Sequence, residues 1–153
     1  TTLFRSSKNG HVFHVTNTNA VINLTGVTIS NEDSDNILLS VCDDGWSGAS
    51  NIATLNAINQ TLNGTVLVGS NSTLTLSLTN GSDFTGCISG SITNASGTAV
   101  SASIGTVNVA VDSSSTWTLT ADTYVTSFSG NAGSIVSNGY TLYVNGTALT
   151  GTK

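Results

Sequence analysis

The chain contains no proline and no methionine, two cysteines, and only three Lys plus Arg in 153 residues. Each scarcity excludes something. Without clustered Lys and Arg to displace counterions, nucleic acid and anionic membranes are poor partners. A polyanionic substrate such as pectate meets the same lack of cations. Two cysteines cannot define a disulfide framework. No run approaches the ~18 consecutive apolar residues of a membrane-spanning helix, and the opening Thr1-Thr2-Leu3 is not followed by a signal-type apolar stretch. No membrane insertion is therefore expected. Charged residues make up 7% of the chain against about 25% in an ordinary soluble domain, so hydration must come from hydroxyls and amides.

What is abundant is small and polar. Thr, Ser, Asn and Gly number 25, 23, 17 and 16, more than half the chain, which disfavours helix. Yet 38% of residues are apolar and fall in regular alternation, so a packed fold is within reach. The length suits one domain.

Period-2 alternation recurs in short pieces separated by Asn, Gly, Ser and Asp. Val21-Ile22-Asn23-Leu24, Leu74-Thr75-Leu76-Ser77-Leu78, Val107-Asn108-Val109-Ala110-Val111 and Thr141-Leu142-Tyr143-Val144 each read as a half-buried strand. The segment Asn51 to Asn59 also fits a strand, through Ala53, Leu55 and Ala57. Repeats join these pieces. Leu74, Leu76, Leu78 and Phe84 return 33 residues later as Val107, Val109, Val111 and Trp117, and these eight are the expected structural core. Leu62-Asn63-Gly64-Thr65-Val66 returns 22 residues later as Phe84-Thr85-Gly86-Cys87-Ile88. A repeat of variable length with polar corners describes solenoid coils whose insertions are confined to loops.

The predicted fold is therefore all-β: a single-stranded, three-faced parallel β-helix of about five coils, right-handed by the general rule for parallel crossovers. It forms one domain over 1–153. One ladder would hold 21–24, 53–57, 74–78, 107–111 and 141–144. A second would hold 27–29, 61–62, 84–85 and 117–119, and a third 37–41, 66–68, 100–104 and 125–128. The segment up to Gly10 carries no start signal, so the chain is expected to be a processed or truncated piece of a longer solenoid, with uncapped coils at both ends.

Three stretches carry a resemblance: Ser6 to Val15 continuing through Ala20 to Ile29, Leu76 to Ser82, and above all Ser115 to Phe128 closing with Asn138 to Gly146. They resemble secreted and cell-surface β-helix proteins of gut-type bacteria, pectin-lyase-like in fold. The resemblance implies an extracellular location and brings no catalytic motif.

Candidate chemistry is sparse. Asp43-Asp44 is an adjacent acidic pair, but consecutive strand residues face opposite sides, and no Gly-His-Gly accompanies it as in polygalacturonase-like hydrolases. β-Elimination lacks its base. No catalytic residue, metal or cofactor is assigned. Glu32-Asp33-Ser34-Asp35 lacks the spacing of a calcium loop, and His11 and His14, three apart, should face opposite sides of a strand. Trp46, in the Gly-rich segment Asp43-Asp44-Gly45-Trp46-Ser47-Gly48, is either a cap on the open first coil or a platform for a sugar. Asp43, Asp44 and Trp46 are the candidate ligand-binding residues. Cys42 and Cys87 read as buried thiols within the bore, a disulfide remaining the alternative. The seven Asn-x-Ser/Thr sites at Asn23, Asn59, Asn63, Asn71, Asn80, Asn94 and Asn145 follow from composition. The outward rows Thr73-x-Thr75-x-Ser77-x-Thr79 and Thr116-x-Thr118-x-Thr120 lack the strict repetition of an ice-binding face.

The expected function is a non-catalytic structural or adhesive module, whose partners are further copies stacked end to end or a cell-surface glycan. The alternative is a carbohydrate-binding module, and third a glycan-active lyase or hydrolase.

Overall fold

The computed structural model describes residues 3–5, 10–43, 50–93, 99–101 and 103–153. Among them run the strands β1 (Leu3–Arg5), β2 (His11–Val15), β3 (Thr18–Thr25), β4 (Thr28–Ser30), β5 (Ile37–Val41), β6 (Asn51–Ile58) and β7 (Thr61–Asn63). They continue with β8 (Thr65–Val68), β9 (Ser72–Thr79), β10 (Asp83–Gly86), β11 (Ile88–Ser89), β12 (Ile92–Thr93), β13 (Ala99–Ser101) and β14 (Thr106–Val111). The last are β15 (Thr116–Leu119), β16 (Thr123–Val125), β17 (Ser127–Ser129), β18 (Ile135–Val136), β19 (Leu142–Val144) and β20 (Thr147–Ala148), with one 3-10 turn at Ala132–Ser134.

Alternation makes these strands and sets their faces. In β9 the side chains of Leu74, Leu76 and Leu78 are buried while Thr73, Thr75, Ser77 and Thr79 reach the surface. The same pattern in β6 and β14 buries Ala53, Leu55, Ala57, Val107, Val109 and Val111. Parallel pairing then stacks like on like: Leu55 beside Leu76 beside Val109, and Leu62 beside Phe84 beside Trp117. The 33- and 22-residue repeats are therefore strand registers.

The architecture is all-β with parallel sheets, consistent with a β-solenoid. Three sheets dominate, in the orders β3-β6-β9-β14-β17, β2-β5-β8-β11 and β7-β10-β15-β18. From β5 to β11 the chain visits them in strict rotation, so consecutive strands never pair with one another. A smaller sheet, β16-β19-β20, continues the rotation at the C-terminal end. Among the described strands two pairs are antiparallel, β12 with β13 and β19 with β20.

Corners are asparagine and serine work. Every described non-glycine residue with positive φ is an asparagine: Asn17, Asn36, Asn59, Asn71, Asn80, Asn138 and Asn145. Asparagine tolerates the left-handed region better than other residues with a Cβ, which explains much of its abundance. One corner is also stitched from coil to coil. Gln60 takes the Val27 amide on Oε1 and returns Nε2 to the Val27 carbonyl, the Gln60 amide donates to Ser82 Oγ, and the Ser82 amide donates to Ser115 Oγ. Ser82 and Ser115 are buried, yet their polar atoms are satisfied.

Three predicted registers change. Leu142–Val144 leaves the first ladder: β17 takes that place beside β14, and β19 pairs with β16. The reason is a shorter final coil, whose contacts join residues 19 apart, as in Asn108 with Ser127 and Asp122 with Thr141. Residues 27–29 leave the second ladder, since β4 pairs with β1 and only the Gln60 amide reaches Val27. In the third ladder only 37–41 and 66–68 are neighbours as expected. β2 and β11 complete that sheet, Ala99–Ser101 folds back on β12, and 125–128 divides between β16 and β17. Extra residues of the long coil between β11 and β14 are thus absorbed by an antiparallel pair.

The ends differ as well. At the C-terminal end the Asn145-Gly146 turn, both residues at positive φ, closes a two-residue hairpin between β19 and β20. Lys153 then lies along β18, its amide donating to the Ile135 carbonyl and its carbonyl accepting from Ser137. Two faces of that end are covered, against expectation, while β17 stays the edge of the largest sheet. At the other end β2 and β3 each have one described partner strand, and Val12, Phe13, Ala20, Ile22, Val27 and Ile29 are only half-buried against the core.

The corner at the end of β10 has no room for a side chain. A Cβ on Gly86 would run into the Gly64 carbonyl oxygen and the ring edge of Phe84. The Gly86 carbonyl itself accepts from the fully buried Trp117 Nε1 at 3.0 Å. Gly86→Ala is expected to destabilise by about 1–3 kcal/mol through overpacking, read as a fall of roughly 2–4 °C in Tm per kcal/mol for a chain of this size. An unchanged melting temperature would refute the register around Gly86. Trp117→Phe keeps an aromatic ring but leaves the Gly86 carbonyl unpartnered, which should cost about 1–3 kcal/mol by the same measurement.

Candidate functional site

Of the sequence candidates, Asp43 is exposed at the end of the segment that follows β5, while Asp44 and Trp46 lie outside the described residues. Asn94 does also. Cys42 and Cys87 are thiols, with no disulfide between them. Neither belongs to the main core. Cys42 packs with Leu67 and Ile92 in a small separate cluster, and Cys87 is half-buried with its Sγ 3.8 Å from Thr65 Oγ1. The expectation that both fill the bore fails because Cys42 continues the face of β5 that carries Ser40, beneath the β12-β13 pair.

The histidines also depart from expectation. Both His11 and His14 place Nδ1 against one hydroxyl, Ser40 Oγ, at 2.8 and 2.5 Å, with their rings 5.8 Å apart. His14 stands in register beside Ser40, as a neighbour across parallel strands must. His11 reaches the same side because regular pairing is interrupted at Val12 and Leu38, next to the bulge between Ile37 and Leu39. Strand periodicity alone could not reveal a bulge in the neighbouring strand. Ser40 has one hydroxyl proton, so it can donate to only one of the two rings; the other must itself donate from Nδ1. The arrangement resembles a nucleophile with its base, but Ser40 is wholly buried beneath the two imidazoles. A substrate carbonyl would have to displace them to reach Oγ, so the geometry describes a polar clasp between β2 and β5.

The acidic corners spend their oxygens on the chain itself. Asp33 Oδ1 accepts from the Asp35 amide at 2.9 Å, and Asn31 Oδ1 accepts from the Asp33 amide at 3.0 Å. Among the described residues no group of three or more His, Cys, Asp or Glu is placed to hold a metal ion, and no helix is long and apolar enough to cross a membrane. The Asp112 carboxyl is held down at about 2 by the Asn80 amide, then by Ser114 and Ser115. Its two oxygens take the Asn80 amide at 2.9 Å and the Ser114 amide and hydroxyl at 3.0 and 2.8 Å. It is a corner bracket between two coils.

The sequence did not single out the stacked pair Tyr124 and Tyr143, whose rings lie 4.6 Å apart and 8° from parallel. The signal was there: Thr123-Tyr124-Val125 and Leu142-Tyr143-Val144 share a pattern at the 19-residue spacing of the last coil. Placing 141–144 in the first ladder hid it.

No protein-family model matches the chain, and no similar curated protein or solved structure is found. Function must be argued from the geometry.

Asp112 makes a pH prediction. A carboxyl lowered from 3.8 to about 2 on folding stabilises the native state fully above pH 4, and that contribution is lost as pH falls through about 2. Melting curves between pH 5 and 2 should therefore decline more shallowly in Asp112→Asn than in the parent chain. Parallel declines would show that the bracket is not what titrates.

Proposed function

We propose that the chain is a non-catalytic structural and adhesive module: a three-faced parallel β-helix of about five coils, working outside the cell or at its surface. The rotation of the chain through three sheets supports the three faces, and the five strands of the largest sheet support the coil number. Continuous ladders with a Leu, Val and aromatic interior resist bending, because every coil is hydrogen-bonded along its length to the next. The surface is hydroxyl and amide, as in the Asn56 to Asn23 and Ser127 to Asn108 contacts along the outer face. The location follows the resemblance to secreted β-helix proteins.

The observation that carries this reading is the inequality of the two ends. The tail along β18 and the β19-β20 hairpin cover two of the three faces at one end, with β17 left as an edge, while β2 and β3 present strand edges at the other. Endless head-to-tail stacking needs two fully complementary open ends, so a discrete rod segment is favoured over a fibre subunit. Electron microscopy with light scattering over a concentration series tests this. Discrete particles no larger than a dimer are expected at every concentration; regular filaments of constant width would overturn the reading and make the protein a polymer.

A carbohydrate-binding module is the second reading. The exposed tyrosine stack favours it, in a place other than Trp46.

A further inference from the structure

The sheet β16-β19-β20 turns Thr123, Val125 and Leu142 inward, where all three are buried. Tyr124 and Tyr143 point outward in direct register across the parallel pair. Across the hairpin, the residue opposite Tyr143 is Ala148. One row over the outer face therefore reads Tyr124, Tyr143, Ala148. Two aromatic rings are stacked, and the third place holds only an exposed methyl group.

Adjacent strands lie about 4.8 Å apart, close to the 4.6 Å between the two tyrosine rings. A flat ring lying above Ala148 would thus meet the second face of Tyr143 at stacking distance. Tyr124 is 50% exposed and Tyr140 42%, whereas Phe84 and Trp117 are hidden. Exposed aromatic faces of this kind mark binding surfaces more often than isolated apolar residues do.

We propose that this row is a binding site for a neutral sugar, a pyranose ring of an uncharged glycan stacking on Tyr143 above Ala148. The electron-rich ring face attracts the C–H face of a pyranose, while the exposed Asn145 in the adjoining turn offers amide partners for the sugar's own hydroxyls. Charge narrows the ligand. The row itself is uncharged, the neighbouring Asp122 gives an oxygen to the Thr141 amide at 2.8 Å, and the chain carries a formal −5. A uronate, phosphate or nucleic acid would meet that net charge with no cation within the row itself. The site goes beyond the rod reading, and it stands whatever lies on the open end.

The test is a titration of the whole chain, followed by NMR of its tyrosine ring resonances. The probes are cellohexaose, laminarihexaose and mannohexaose, with trigalacturonate as the charged comparison. A saturable shift of Tyr143 and Tyr124 with at least one neutral probe is expected, weakened tenfold or more in Tyr143→Ala. Ala148→Leu fills the third place from an exposed position, so it should abolish binding while leaving the melting temperature unchanged. Three results would each overturn the proposal: no saturable shift with any neutral probe, undiminished binding in Ala148→Leu, or trigalacturonate binding as well as the neutral sugars. None of these bears on particle size, so the rod reading is judged separately.

Discussion

Most of this chain depends on one requirement: outside the β12-β13 and β19-β20 pairs, each strand finds its hydrogen-bond partners in the coils above and below, not in its neighbour along the chain. Successive strands turn away to different faces, so each turn must end at a height that keeps the next coil in register. A coil that overshoots leaves backbone donors and acceptors unpaired in the interior, at a cost comparable to a lost hydrogen bond for each. The corners meet this demand with few residue types. Asparagine turns the chain through the left-handed region at Asn59, Asn80 and their counterparts. Side-chain oxygens of Gln60, Ser82, Ser115 and Asp112 take up the amides of the adjoining coil.

The interior and the corners constrain each other. Phe84 and the Gly64 carbonyl leave no room for a side chain at Gly86, and the Trp117 indole N–H satisfies the Gly86 carbonyl at the bend after β10. The aromatic stack of Phe84 on Trp117, with ring centres 5.6 Å apart, continues the column begun by Leu62. Large side chains at one level thus require small ones at the corner beside them. This coupling explains how a chain with so few charges holds a single register: steric fit and satisfied corner amides do what ion pairs do elsewhere.

Distinct surfaces arise where the repeat is broken. The long coil after β11 adds the β12-β13 pair, which covers a small cluster around Cys42 and Leu67. The interruption near Leu38 swings His11 beside His14 over Ser40. The short last coil brings Tyr143 beside Tyr124, and the Asn145-Gly146 turn sets Ala148 next in the row. A regular solenoid would present the same face at every level. This one presents a distinct surface at each irregularity.

Much of the fold was legible because it repeats. Leucines and valines at period 2 named the strands, and the 33- and 22-residue spacings named the partners of β7, β9, β10, β14 and β15, since stacking requires like residues at like heights. The 19-residue coil escaped notice because only three short strands carry it, and small strands of Thr, Tyr, Ser and Val fit several registers equally well. The histidine clasp escaped for a different reason: a bulge in one strand re-aims the side chains of its neighbour, and no local pattern records that. Composition and periodicity by themselves determined an all-β chain, its principal ladders and its apolar interior, because burial and strand geometry are local properties that recur along the sequence. The partial cover of the C-terminal end, the convergence on Ser40 and the row Tyr124, Tyr143, Ala148 were decided only in three dimensions, because each depends on how far one coil is displaced against the next.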